Sequence, residues 1–286
     1  VTGNAGIVDL GGETLVFDTF LTPQSSADLR SAAQVLTGRH PSLLANSHWH
    51  FDHAFGNAAF GGCTIHGTET TRQELGRRAP AFLATIADPT WGEITATMQA
   101  VYAEEANPAA RLELAGEIVA RHELKDGYGR IRVRTPDAIF TARHRFEGER
   151  GAMVVEGHGH SESDSVLFVT DDEVLFTGDL VTVGVHPTVG VVELARWRET
   201  LDKVAKIQPR VLVPGHGPAT DVSACQAMQE YLLRLEQVAE GDGPVELPAE
   251  YADWAGPRRF LRSVQTIRAA RDGPPVEDVD PAEGPA

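Results

Sequence analysis

Three imidazoles and a carboxylate crowd into six residues, His48-Trp49-His50-Phe51-Asp52-His53. In an extended segment residues two apart project to the same side, so His48 and His50 can converge on one ion. Asp52 and His53 follow where the chain turns toward a helix, and can face a second ion. Neutral imidazole combined with carboxylate suits borderline divalent metals such as zinc, and a hydrolytic metal site keeps one position open for water. The competing reading is a set of surface histidines after a strand, which such density makes improbable.

A buried strand has to deliver that cluster, and the run from Pro41 to Asn46, with Leu43, Leu44 and Ala45, is read as one. Upstream, Ile7 to Leu10 and Thr14 to Asp18 are apolar runs split by Gly11-Gly12, a hairpin of two strands. A helix follows, capped by Ser25-Ser26, with Leu29, Ala32, Ala33 and Leu36 at helical spacing and Gly38 at its end. Gly62 to Ile65 is another strand candidate. A helical insertion is expected at about 68–125, with Ile94 to Glu105 and Pro108 to His122 as its long patterns. Arg130, Arg132 and Arg134 alternate with Ile131 and Val133, the pattern of a strand with one wet face. Beyond Ala152 the chain is strand-rich again: Met153 to Val155, Ser165 to Val169, and Val174 to Phe176, the last two joined by a turn at Asp171-Asp172. Val192 to Ile207 reads as a helix and Val211 to Val213 as a buried strand. Two helices are expected over Thr220 to Glu240 and Pro257 to Arg271, then a flexible acidic, Pro- and Gly-rich tail at 272–286. Strands and helices in both halves point to an α/β protein of the αββα type, two mixed sheets face to face with helices outside, as one domain over 1–271.

The six-residue cluster resembles the HxHxDH signature of the metallo-β-lactamase superfamily, and the remaining motifs of that family appear in order. Asp18, in Val16-Phe17-Asp18-Thr19, resembles the non-ligand aspartate that buttresses the metal loop. Gly159-His160-Ser161, Phe176-Thr177-Gly178-Asp179 and Val213-Pro214-Gly215-His216-Gly217 resemble the motifs that supply the remaining ligands. The resemblance implies one site of His48, His50 and His160, another of Asp52, His53 and His216, and Asp179 bridging them. It implies two divalent ions, zinc first, with manganese or iron(II) as alternatives. The expected enzyme is a metallohydrolase that cleaves an ester, thioester, lactone or amide through a metal-bridging hydroxide, with Asp52 orienting that nucleophile. Where some lactam-cleaving members carry a cysteine ligand, Asp179 stands here, which looks like the lactonase, thioesterase and glyoxalase branch. The alternatives are a mononuclear iron persulfide dioxygenase-like oxidoreductase and lactamase activity of the cysteine-lacking type.

Composition narrows the classes further. The chain has 286 residues, 42% of them hydrophobic, enough for a large core without covalent staples. A formal net charge of -16 repels a phosphate backbone, so nucleic acid is not the expected partner; a small molecule is. The two cysteines, Cys63 and Cys225, form no CxxC pair, the usage of a reducing cytoplasm. No apolar run reaches the roughly 18 residues of a membrane span. The chain begins at Val1 without a recognisable signal segment, though a removed leader is compatible with a start lacking Met.

Other residues carry weaker signals. His160 is preferred over His158 as a ligand because Gly159 and Ser161 place it in the motif. His186 is a candidate for touching substrate or supporting a ligand, against an ordinary loop histidine. Phe82, Trp91, Met98 and Tyr102 in the insertion form either an apolar lid, which would imply a substrate with a hydrophobic part, or a satellite core. Arg258, Arg259, Arg262, Arg268 and Arg271 make a locally basic helix, read mainly as solvated or paired.

Overall fold

A computed structural model describes residues 3–190 and 193–272. Residues 273–286 of the expected tail, and Val192 at the start of one expected helix, lie outside them.

The hairpin at Gly11-Gly12 is formed by β1 (Gly6–Asp9) and β2 (Thr14–Phe17), antiparallel with Ile7 opposite Val16. All of β2 is buried, as expected of a strand covered on both faces. The helix that follows, α1 (Pro23–Thr37), is capped by Thr22 and not by Ser25-Ser26. Thr22 Oγ1 accepts the Ser25 N–H at 3.2 Å, and Ser25 Oγ accepts the Thr22 N–H at 3.3 Å, a reciprocal box at the helix start. Pro23 at the first helical position has its φ already set for the helix, which puts the cap one residue earlier.

β3 (Leu43–Ala45), β4 (Thr64–Gly67) and β5 (Ala138–Ile139) add in parallel, giving the first sheet the order β1-β2-β3-β4-β5. The short helix α2 (Phe51–Ala54) lies between β3 and β4, and α3 (Glu69–Ala87), α4 (Thr90–Glu104) and α5 (Pro108–Gly127) lie between β4 and β5. The second sheet has the order β10-β9-β8-β7-β6. Its strands β6 (Arg143–Phe146), β7 (Ala152–Gly157), β8 (Asp164–Val169) and β9 (Val174–Phe176) are antiparallel, and β10 (Val211–Val213) runs parallel to β9. The crossover between β9 and β10 carries α6 (Leu194–Ala205), and α7 (Ser223–Glu240) and α8 (Pro257–Asp272) follow.

The inner faces of the sheets share a core of Leu15, Phe17, Val154, Leu167 and Val169, with the Phe17 and Phe176 rings 5.9 Å apart across it. Leu29 and Ala33 of α1 pack on Val16, Leu44 and Ile65 outside the first sheet. Outside the second, Trp197, Leu201, Met228, Leu232 and Phe260 from α6, α7 and α8 cover Val166, Leu175 and Leu212. At about 1.5–3 kcal/mol for each large apolar side chain removed from water, these layers hold the two sheets together. The protein is an αββα sandwich. Among the described residues no helix is long and apolar enough to cross a membrane.

Two local expectations change. Residues 130–134 form no strand; Arg134 instead donates to Phe60 O at 2.8 Å and Cys63 O at 2.7 Å, tying the segment down by its side chain. Pro136 follows, and without an N–H it cannot carry a ladder into β5. β6, unforeseen because His144 stands among arginines, pairs along its whole length with β7 while burying only Phe146. The C-terminal arginines are mostly engaged. Arg268 donates to the Val238, Ala239 and Gly243 carbonyls and Arg271 to those of Ala239 and Glu240, so both cap the end of α7.

Candidate metal centre

The loop after β3 is pinned by the residues interleaved with its histidines. Trp49 and Phe51 are fully buried in a cluster with Phe55, Leu75, Phe82 and Trp91, and the Phe51 and Phe82 rings stack 4.4 Å apart. Anchoring Trp49 and Phe51 toward α3 and α4 turns His48, His50, Asp52 and His53 toward the ends of the two sheets. Asn46 and Asn57 exchange side-chain amide hydrogen bonds at 3.0 and 2.8 Å across the base of the loop.

All seven residues singled out as ligands come together. His48 Nε2 and His160 Nε2 lie 2.9 and 2.8 Å from His50 Nδ1, and Asp179 Oδ2 lies 3.5 Å from His160 Nε2. In the neighbouring group, Asp52 Oδ2 is 3.2 Å from His216 Nε2 and 3.6 Å from His53 Nε2. Asp179, of the first group, also reaches the second, with Oδ1 3.1 Å from His53 Nε2 and Oδ2 3.3 Å from His216 Nε2. One donor atom each from His48, His50, His160 and Asp179 lie within 4.8 Å of one another, as do those of Asp52, His53 and His216.

These residues fit a pair of cations. His53 Nε2 and Asp179 Oδ1 are buried without a hydrogen-bond partner, each a cost of about 1–3 kcal/mol that an ion between them removes. Imidazole and carboxylate are the donors that zinc and its neighbours accept. Burial, with the neighbouring imidazoles, holds His48 and His50 well below the ordinary histidine pKa, the neutral form a ligand needs. Burial likewise lowers His160. For His53 and His216 burial is outweighed by Asp179 and Asp52, which raise both. Asp52 and Asp179 are themselves held below the carboxylate range by His53 and His216, against the effect of burial. Cation binding at such a site releases protons, because the ion takes the place the proton held.

Asp18 sits behind the cluster at the end of β2, with φ at 61°, and is buried. Its Oδ1 accepts the Ser47 N–H at 2.7 Å, and its Oδ2 accepts Ser47 Oγ–H at 2.7 Å and His53 Nδ1–H at 2.9 Å. Gly178 and Gly215 make room in front. Gly178 has φ at 53° and a Cβ there would stand 2.6 Å from Ser47 Cβ, while a Cβ on Gly215 would lie 1.9 Å from Asp179 Oδ1. His160 is braced by the edge of Trp197, with ring centroids 5.4 Å apart. Asp164 holds the same loop, accepting from Ser161 N and Oγ at 3.1 and 2.9 Å; burial pushes its carboxyl up to about 7. Ser47, Asp164 and Trp197 were not singled out in the sequence. The Ser161 and Asp164 pair, three apart beside His160, was the signal for one of them.

Two histidines are left out. His158 donates from Nδ1 to Glu162 O at 2.9 Å and belongs to neither group. His186 is fully buried between Tyr231 Oη at 2.9 Å and Tyr251 O at 3.2 Å, and lines neither the clusters nor the cavity beside them. Its neighbours Pro187 and Thr188 do line that cavity.

The cavity has a volume of about 620 Å³. His50, Asp52, His160, Asp179 and His216 line it on the metal side; Leu21, Trp91, Met98, Leu112, Val119 and Leu124 supply apolar walls from α1's entry, α4 and α5. The apolar residues of the helical segment thus do two things. Phe82 and Trp91 pack a satellite core, and Trp91 and Met98 also face the cavity.

The fold is shared with solved structures of low sequence identity. A metallo-beta-lactamase from Pontibacter korlensis superposes with a TM-score of 0.56 at 18% identity, over 79% of this chain and 85% of that one. A metallo-beta-lactamase from Hirschia baltica does so with a TM-score of 0.57 at 14% identity, over 80% and 85%. Among curated proteins, the atrochrysone carboxyl ACP thioesterase of Aspergillus fumigatus is 33% identical over 72 residues, which is 25% of this chain and only 22% of that protein. The Metallo-beta-lactamase superfamily pattern matches residues 1–67 and 84–216, a span that contains every residue of both His/Asp groups and the aspartate behind them. With the sandwich, the ordered motifs and this match in agreement, the chain belongs to the metallo-β-lactamase superfamily.

Proposed function

We propose that the protein is a metal-dependent hydrolase of an ester or thioester whose acyl part is apolar, with lactones and amides as chemically related targets. The observation that carries this reading is Asp179, reaching both ligand groups on the wall of a cavity whose apolar lining comes largely from α4 and α5. His48, His50 and His160 would hold one ion, Asp52, His53 and His216 the other, with Asp179 between them. Two divalent ions, zinc by donor type, would supply Lewis acidity for an acyl carbonyl and a water activated near neutral pH. Asp52, whose side chain is 28% exposed toward the cavity, is the residue placed to orient that water and accept its proton. The apolar walls hold the acyl part and exclude bulk water from the reacting bond. The 72-residue likeness to a thioesterase supports this choice of bond. The net charge of -16 favours a small-molecule substrate over nucleic acid.

Metal analysis paired with a hydrolase panel tests the reading. About two equivalents of metal, turnover of an acyl ester or thioester abolished by a chelator, and a loss of about 100-fold or more in kcat for Asp52→Ala are expected. Stoichiometric metal without turnover on ester, thioester, lactone or amide panels would overturn it. A single iron with oxygen uptake on a persulfide would move the protein to the oxidoreductase class.

A further inference from the structure

Among the residues lining the cavity are two arginines, and they are not equivalent. The Arg121 guanidinium is committed: it lies 3.6 Å over the Trp91 ring and donates to Thr95 Oγ1 at 2.9 Å and Trp91 O at 3.0 Å. Its place is to lock α4 against α5. The Arg259 guanidinium, from the first turn of α8, makes no hydrogen bond among the described residues, although its side chain is only 14% exposed. Its nearest carboxylate is Glu113 on α5, with Oε1 3.5 Å from Nε. That contact engages the guanidinium at Nε, and among the described residues no hydrogen bond engages its Nη atoms.

Glu113 is unusual in its own right. It is 2% exposed, and its Oε2 is buried with no partner. Burial pushes its carboxyl up, against the opposing pull of Arg259. Glu117 and Glu123 also line the cavity, but neither lies within ion-pair distance of Arg259. A largely apolar cavity therefore carries one guanidinium, paired only at Nε, among the same lining residues as the metal groups. A planar fork of this kind matches the two oxygens of a carboxylate.

We propose that Arg259 is a specificity-determining residue that receives a carboxylate, or a similar planar anion, borne by the substrate away from the bond that is cleaved. This rests on the hydrolase reading and narrows it, naming an acidic acyl compound with an apolar body as the preferred substrate class. Glu113 acts as a positioning residue that holds the Arg259 fork in the wall. The neutral counterpart of the same compound fills the same apolar space but leaves the Arg259 Nη atoms without an acceptor, a cost that the enzyme converts into discrimination.

The test is binding first, because binding needs no turnover. Calorimetric titration of the purified protein with decanoate and with methyl decanoate, for wild type and Arg259→Gln, reads the anchor directly. Arg259→Gln is expected to weaken decanoate by about tenfold or more, with methyl decanoate changed less than about twofold. Equal loss for both probes, or none for decanoate, would overturn the proposal; the second result would place the probe's carboxylate on the metal groups. Arg259→Lys keeps the charge without the fork and is expected to fall between wild type and Arg259→Gln. If Arg259→Gln does not fold, an unchanged preference for decanoate in Arg259→Lys overturns the idea by itself. Kinetics then separate the two claims, using a thioester with a free distal carboxylate and its methyl-capped twin. Turnover whose acid-to-neutral ratio ignores Arg259 sinks the anchor alone. Arg259-dependent binding without any turnover sinks the hydrolase reading alone.

Discussion

The carboxylate of Asp18 accepts His53 Nδ1–H at 2.9 Å, and through that single bond decides which nitrogen of His53 carries its lone pair forward. With Nδ1 protonated, Nε2 is left facing Asp52 and Asp179. The same oxygen accepts the Ser47 hydroxyl at 2.7 Å, so Ser47 Oγ must in turn accept from His48 Nδ1 at 2.8 Å, which frees His48 Nε2 toward His50. One buried carboxylate thereby sets the tautomer of a histidine in each ligand group.

Asp18→Asn is the variant that breaks this arrangement with least change of shape. Its amide presents a donor where one of two donors must be accepted, and both histidines lose their fixed tautomer. Competitive titration against a chelator should show metal affinity lower by about 10- to 100-fold, while circular dichroism remains that of the wild type. An affinity equal to wild type would show that the two histidines are oriented by packing alone.

The two ligand groups should separate on mutation. His216 belongs to only one of them, so His216→Ala is expected to retain about one equivalent of metal, in the group of His48, His50 and His160. Asp179→Asn, which touches both, should weaken both. Elemental analysis after gel filtration distinguishes these outcomes, and equal loss in the two variants would contradict the assignment of His216 to one ion.

Leu112 and Val119 line the cavity yet are 61% and 56% exposed, so they form its rim and contribute little to the core. Leu112→Asp and Val119→Asp should leave stability within about 0.5 kcal/mol. Against a series of acyl chain lengths, both should raise KM for long chains and leave short ones unchanged. A uniform change along the series would mean that the acyl chain does not pass over α5.

His186 makes a prediction about pH. Burial lowers its pKa to about 4, below the ordinary 6.5, so the unfolded chain binds a proton here that the folded protein refuses. The neutral ring donates from Nε2 to the Tyr251 carbonyl and accepts at Nδ1 from the Tyr231 hydroxyl. Its contribution is therefore complete above about pH 6.5 and is lost as the pH falls toward 4. At pH 5 the loss should be roughly 2 kcal/mol relative to pH 7.5. Urea unfolding at both pH values should show a smaller pH dependence for His186→Gln by that amount, despite a lower stability at pH 7.5. Equal pH dependence would mean that His186 is accessible to protons in the folded state.

Much of the site was legible in the chain because ligands come in short motifs that each end a strand. His48 to His53 follow β3, Asp179 follows β9 and His216 follows β10, and apolar runs such as Leu43-Leu44-Ala45 and Val211-Leu212-Val213 mark those strands plainly. Periodicity likewise marked the hairpin at Gly11-Gly12 and the long helices after Thr68. It misled at Arg130 to Arg134, where alternation mimicked a strand but Arg132 and Arg134 bind backbone carbonyls, and it was silent at β6, which is polar except for Phe146.

The sequence by itself determined the donor set, the family and the layered architecture, since these rest on residue type and on local periods of two and 3.6. The tertiary structure alone decided what surrounds the donors. Ser47 as the link from Asp18 to His48, the confinement of His186 by Tyr231 and Tyr251, the split of the helical segment between core and cavity wall, and the meeting of Arg259 with Glu113 all join residues far apart in the chain. Such contacts leave no local period to read, because they depend on how helices and sheets pack and not on how any one of them forms.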